Sequence, residues 1–143
     1  MSLHRNATRD LLRDVPLFAD CTTEEIELVA RLGQELTAGE GHYLAHEGHR
    51  GGVFTVLLEG TADVLVGDER VRGLRPGDYL GEIATVVGGR RTASVITTSP
   101  VRAMTFSDSS FETVLSRSPH LRARIQHTAW ERLLPSPRTP DEL

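Results

Sequence analysis

Lysine is absent from this sequence: all 16 basic side chains are arginine. We read that as GC-rich coding bias pointing to a bacterial source; it carries no chemistry. Positive charge is also scarce, with 16 basic against 20 acidic residues and a formal net charge of -4. A dedicated nucleic-acid binder usually carries a basic surplus, so no direct nucleic-acid partner is expected. Cysteine occurs once, as Cys21, which excludes an intrachain disulfide and any multi-cysteine metal site. No apolar run approaches the roughly 20 residues that cross a bilayer, so no membrane partner is expected. The opening MSLHRNATRDLLRD has no apolar signal core, and the Asn6-Ala7-Thr8 sequon is therefore read as chance. A soluble, cytoplasmic chain is expected.

What is present suits one core. The chain has 143 residues, 38% of them apolar, and 13 glycines. That is an ordinary globular composition at single-domain length. We place the domain at residues 1–134. Residues 135–143, PSPRTPDEL, are Pro-rich and polar and read as a disordered tail.

The first third reads as helical. Leu11, Leu12, Val15 and Leu17 give weak periodicity, broken at Pro16. Thr22 can cap a better helix and Glu25 can close a capping box. Ile26, Val29, Ala30 and Leu32 follow at helical spacing, and Gly33 ends it. From Gln34 the period changes to short strand-like runs separated by Gly turns. They cover residues 35–38, 43–46, 53–58, 62–66, 71–74, 93–98 and 102–106, a spacing that indicates a sandwich or jelly-roll barrel. The last third returns to helix. Ser107 or Ser109 starts one, Ser118-Pro119 breaks it, and a second runs from about His120 to Leu134. Leu121, Ile125 and Ala129 sit on one face of that second helix. They fit either the barrel or a second copy of the chain, so a homodimer through the C-terminal helix stays open.

One stretch, Gly77 to Ser94, breaks the strand pattern. Its centre, Glu82 to Val86, can form one helical turn whose free amides open just after Gly81. Unpaired N–H groups and the helix dipole both favour an anion there. Gly81 lets the anion approach the backbone. Arg91 adds a guanidinium that forks onto phosphate oxygens, and Thr92 adds a hydroxyl. Glu82, an acceptor when ionised, suits a sugar hydroxyl rather than a phosphate. Together these describe a pocket for a small anion carrying a ribose.

Here the sequence resembles the cyclic nucleotide-binding domain family, seen in the catabolite activator protein, regulatory subunits of protein kinase A and cyclic-nucleotide-gated channels. Leu80 to Ser94 match the family's phosphate-binding cassette, F-G-E-[LI]-A-L and then P-R-[AST]-A, without a gap. Gly41 to Gly60 resemble its early strands, Asp14 to Gly33 its opening helix with Pro16-Leu17-Phe18, and Phe106 to Leu134 its two C-terminal helices. Arg90 replaces the usual Pro, Thr85 a usual apolar residue, and Gly51-Gly52 fall where acidic or small polar residues are common. The resemblance implies an α+β fold, a β jelly-roll barrel flanked by N-terminal and C-terminal helices. It implies that Glu82 binds the ribose 2′-OH. Main-chain N–H groups of Gly81, Glu82, Ile83, Ala84 and Ala93 would bind the cyclic phosphate, and Arg91 would neutralise it. Thr92 would add a hydroxyl to the phosphate or to a syn guanine. Val64, Val71 and Val95 would line base and ribose, with Trp130, Leu133 or Leu134 as lid contacts.

Other features read as bland. His42, His46 and His49 with Glu47 lack the HExxH pattern of a metallopeptidase and the HxH of a cupin; we expect solvated histidines and no metal. Cys21 shows no base nearby in sequence and reads as structural. Arg117, Arg122, Arg124 and Arg132 read as a solvated helical face. Ser107 to Ser110 form a cap, not a nucleophile, since no elbow motif surrounds them. No nucleotide-cyclising, kinase or phosphodiesterase apparatus is apparent. The expected function is therefore a stand-alone, non-enzymatic regulatory domain without cofactors. It would bind cAMP in preference to cGMP, although Thr92 fits both. It would transmit binding through its C-terminal helix to a partner or effector; with no helix-turn-helix before Leu143, the readings are a separate protein partner, a fragment of a longer regulator, or a domain that sequesters the nucleotide. The alternative is a degenerate, nucleotide-free interaction module with the same fold.

Overall fold

The computed structural model of the chain describes residues 3–48, 53–81 and 93–133. Helix α1 (Leu3–Arg13) leads through a single 3-10 turn (Pro16–Phe18) to α2 (Thr23–Leu32). Eight strands follow: β1 (Gln34–Ala38), β2 (Tyr43–Ala45), β3 (Val53–Glu59), β4 (Ala62–Val66), β5 (Glu69–Leu74), β6 (Tyr79–Leu80), β7 (Ser94–Thr97) and β8 (Val101–Ser107). Helices α3 (Asp108–Arg117) and α4 (Pro119–Leu133) close the described chain.

The strands form two antiparallel sheets of four, in the orders β1-β8-β3-β6 and β2-β7-β4-β5. Apart from the β4–β5 hairpin, neighbours in each sheet are distant in sequence, as in a jelly roll. The α+β architecture expected above is thus observed. Strand β6 was not expected. Its two residues pair with β3 as Thr55↔Leu80 and Val56↔Tyr79, inside the stretch taken to break the strand pattern. Two residues are too few to show alternation.

Strand β3 explains how the layers stack. It is apolar almost continuously and buried from Phe54 to Leu58. Successive side chains point to opposite faces. Phe54, Val56 and Leu58 join Met104 and Phe106 against the helices. Leu57 faces the other sheet with Val101, Ala103, Val64 and Val95. The β3–β8 pair is thus covered on both faces. On the helical side Phe54 stacks on Phe111 with centroids 4.2 Å apart and an interplanar angle of 14°. Leu121 and Ile125 of α4 are buried in this same core. They pack on the chain's own barrel and are not available to a second copy.

The caps follow the sequence. The Thr22 hydroxyl accepts from Glu25 N at 3.1 Å, and Glu25 Oε1 accepts from Thr22 N at 3.0 Å, which completes the capping box. Ser107 caps α3 by accepting from Ser110 N. Gly33 does end α2, but for a different reason than a left-handed cap. Its φ is -79°. A Cβ there would lie 2.5 Å from Met104 Sδ, so glycine is required by close packing on β8.

Candidate functional site

Gly81 and Ala93 are the two described ends of the candidate site. Gly81 closes β6 in one sheet with φ +97°, a left-handed conformation that favours glycine. Ala93 precedes β7 in the other sheet and is half-buried against the inter-sheet core. The chain between them connects one sheet to the other. Glu82, Ile83, Ala84, Arg91 and Thr92 belong to that connection and lie outside the described residues, as do Thr85 and Arg90.

The wall beside these ends is built from β4, β5 and β7. Val64 and Val95 are direct cross-strand partners. Both are buried, at 7% and 4% exposure. Val71 on β5 is 53% exposed. The register of β4 and β5 shifts between Val64 and Leu65, opposite Arg72 and Arg70, so Val71 sits in a bulge without a direct partner. Two of the three valines named for the base and ribose are therefore inside the barrel, and the third is open to solvent. The side chains of Trp130 and Leu133, and all of Leu134, lie outside the described residues.

Two braces fix the ends. The Glu47 amide donates to Ser94 Oγ at 2.9 Å, and Glu47 Oε2 accepts from Gly67 N at 2.9 Å. Glu47 thus ties the start of β7 to the β4–β5 turn. In sequence Glu47 stands among histidines, and nothing local marks this role. Upstream, Asp78 Oδ2 accepts from Arg75 N at 2.8 Å. Gly77 N donates to Leu57 O, and Leu57 N to Asp78 O. The Pro76-Gly77-Asp78 turn therefore hangs on β3 immediately before β6. It also touches the N-terminal segment: a Cβ on Gly77 would come within 3.2 Å of Pro16 Cδ.

Residues 35–118, more than half of the chain, match the profile of the family described as "Cyclic nucleotide-binding domain". The chain belongs to the cyclic nucleotide-binding domain family. Over 86% of its length this domain is 32% identical to a cAMP-dependent protein kinase regulatory subunit of Colletotrichum orbiculare, covering 32% of that protein. Over 87% it is 31% identical to the human potassium/sodium hyperpolarization-activated cyclic nucleotide-gated channel 1, covering 14% of it. The domain thus spans a third or less of these curated relatives. Both are eukaryotic and lend no support to a bacterial source. Among solved structures, the regulatory domain of Toxoplasma gondii PKA with cAMP superposes with TM-score 0.78 at 23% identity, over 89% of this chain and 50% of that one. A regulatory subunit of a cAMP-independent protein kinase A from Trypanosoma cruzi, bound to guanosine, gives 0.73 at 25%, over 78% and 42%. The former likeness speaks for the fold alone.

Elsewhere in the domain His42 and His46 are exposed, as expected of solvated histidines. His46 stacks on Tyr43 at 4.2 Å, His42 N donates to Thr97 Oγ1, and His49 lies outside the described residues. Cys21 does not match its sequence reading. The fold brings His120 Nε2 to 3.8 Å from Cys21 Sγ across a separation of 99 residues, which no sequence spacing discloses. His120 Nε2 also lies 3.4 Å from Glu25 Oε2. The buried Ser118 hydroxyl donates to the same carboxylate oxygen. Burial pushes the Cys21 thiol up to about 11, with the Glu25 and Asp20 charges adding and Arg124 opposing. For Glu25, burial pushes upward, but hydrogen bonds from Ser118 and Thr22 and the His120 charge outweigh it and hold the carboxyl below 4.5. Among the described residues, no helix is long and apolar enough to cross a membrane.

Proposed function

We propose that this domain binds a cyclic nucleotide reversibly, cAMP in preference to cGMP, and does no chemistry on it. The reading is carried by one juxtaposition. Gly81, Glu82, Arg91 and Thr92 belong, in sequence, to the cassette-like connection from β6 of one sheet to β7 of the other, and β7 carries Val95, the buried cross-strand partner of Val64, in a cyclic nucleotide-binding domain. In this reading the phosphodiester charge, screened by water when free, passes to Arg91 and to the main-chain N–H groups of Gly81 to Ala84 and of Ala93. Charge-assisted, forked hydrogen bonds are the strong ones and suit phosphate. Glu82 takes the ribose 2′-OH. Val64 and Val95 meet the ribose and base from the barrel, and Val71 from its exposed bulge.

Binding acts as a signal only through differential affinity for two states of the domain. We assign the response to α4, which is anchored in the core by Leu121 and Ile125 and runs on to Leu133. The effector is a protein that meets that helix, and the setting is the cytoplasm. The relatives named for kinase regulation and channel gating support a regulatory role.

The test is a thermal-shift comparison of cAMP, cGMP, 5′-AMP and guanosine, with recovery of the nucleotide afterwards. A micromolar ligand at a thousandfold excess over Kd adds roughly 4 kcal/mol to stability, which raises the midpoint on the order of 10 °C. We expect that shift with cAMP, a smaller one with cGMP, none with 5′-AMP or guanosine, and cAMP recovered intact. No shift with any of them identifies the nucleotide-free interaction module. A shift with guanosine alone identifies a nucleoside site.

A further inference from the structure

Three donor atoms of different chemistry converge where the N-terminal helices meet the α3–α4 corner: the Cys21 thiol, a Glu25 carboxylate oxygen and the His120 imidazole. All lie within 4.8 Å of one another. Cys21 immediately precedes the Thr22 cap of α2, and Glu25 is the third residue of that helix. The capping box occupies Glu25 Oε1 and leaves Oε2 turned toward the corner. Ser118 ends α3 and Pro119 begins α4, which presents His120 in the first turn. The chain reversal at Ser118-Pro119 thus sets an imidazole opposite a thiol and a carboxylate 99 and 95 positions away.

We propose that Cys21, Glu25 and His120 form a binding site for a zinc-class divalent cation, which fastens the start of α2 to the start of α4. Tetrahedral zinc, with bonds of about 2.3 Å to sulfur and about 2.0 Å to nitrogen or oxygen, holds its donors about 3.3–3.6 Å apart. The Cys21–His120 and His120–Glu25 separations are 3.8 and 3.4 Å. The third pair, Cys21 and Glu25, lies within 4.8 Å, so the thiol and carboxylate close by at most about 1.3 Å to seat an ion. The donor set selects the metal class: thiolate and imidazole favour zinc and cobalt over magnesium and calcium, which demand oxygen shells. Thiolate and carboxylate together carry two negative charges, which the dication neutralises. Glu25 and Asp20, whose charges oppose the thiolate in the metal-free site, then lie beside a cation. Binding exchanges the Cys21 thiol proton for the metal and releases that proton to solvent. The half-exposed His120 side chain leaves an approach from solvent and a place for water as fourth ligand.

The site owes nothing to the nucleotide reading, and its test uses no nucleotide. The reduced, chelator-treated full chain is titrated with cobalt(II) and then with zinc(II). We expect a thiolate-to-cobalt charge-transfer band that saturates at one equivalent, is displaced by zinc, and disappears in Cys21→Ser. Zinc should raise the melting temperature of the wild type. His120→Ala, a change at an exposed side chain, should weaken zinc binding at least about tenfold, the lower end of what even indirect ligand support is worth. A triple variant with alanine at His42, His46 and His49 should bind as the wild type does. Absence of the charge-transfer band in the wild type overturns the proposal. So does unchanged zinc affinity in His120→Ala, or loss of binding confined to the triple variant.

Discussion

Arg102 Nη2 on β8 lies 2.8 Å from Glu35 Oε1 on β1, with the two side chains only 17% and 20% exposed. The same nitrogen donates to the Thr8 hydroxyl on α1 at 3.1 Å, and that hydroxyl donates to Glu35. One guanidinium thus joins the first helix to two neighbouring strands. It anchors the helical layer to the barrel at the end of the sheet away from Phe106.

Arg102→Met keeps the length of the stem and removes the charge. It leaves the Glu35 carboxylate without its guanidinium in a mostly buried position, which should cost about 2–4 kcal/mol. Urea unfolding reads the change directly. A loss under about 0.5 kcal/mol, the range of ordinary surface substitutions, would show that Glu35 is adequately solvated without its partner.

Gly60 and Gly67 both have positive φ, +87° and +61°, but their surroundings differ. A Cβ on Gly60 would sit 2.2 Å from Pro100 O, whereas one on Gly67 meets nothing within 4 Å. Gly67→Ala should cost only the conformational strain, about 1–2 kcal/mol. Gly60→Ala adds a backbone clash and should cost about 1–3 kcal/mol more. Equal losses at the two positions would contradict the close approach of the β3–β4 turn to Pro100.

The contrast between these glycines shows what the sequence disclosed. Turn glycines, the Thr22–Glu25 box and the Ser118-Pro119 break rest on local chemistry, and all are visible within four residues. Strands β3 and β8 were legible because each is apolar on one or both faces over seven residues. Contacts set by folding were not legible. Gly33 gave a helix stop in sequence, but its need for glycine comes from Met104 on a strand 71 positions away. The Glu47 brace and the Cys21–His120 approach are likewise long-range and polar, with no periodicity to mark them. Of the residues named for the proposed site, Gly81, Ala93, Val64, Val71 and Val95 are among those described, and Val71 is exposed.

The depressed Glu25 carboxyl has a pH signature. A group held below its ordinary value of 4.5 adds stability that is fully present above that value. The contribution is lost as pH falls through the lower, folded-state value. Glu25→Gln should therefore be less stable than the wild type at pH 7, and the gap should narrow toward pH 3. Urea midpoints across that range test it. A gap independent of pH would mean that Glu25 acts by shape alone.

The Cys21 thiol, raised to about 11 from 9.0, should be inert in the metal-free protein. At pH 8 a shift of this size lowers the thiolate fraction about 100-fold, and alkylation follows thiolate. Iodoacetamide labelling of chelator-treated protein should run slower than that of its urea-unfolded form by roughly that factor. Comparable rates would place the thiol in an ordinary aqueous setting.

The central claim is that Arg91 neutralises a cyclic phosphate beside Gly81. Titration calorimetry of cAMP into the wild type and Arg91→Ala, both checked for folding, tests it most directly. We expect micromolar binding to the wild type, about -8 kcal/mol, and a loss of ~2–5 kcal/mol in the variant, because the phosphate forfeits its charged partner. Equal affinity of the two proteins for cAMP, or no heat from either, contradicts it.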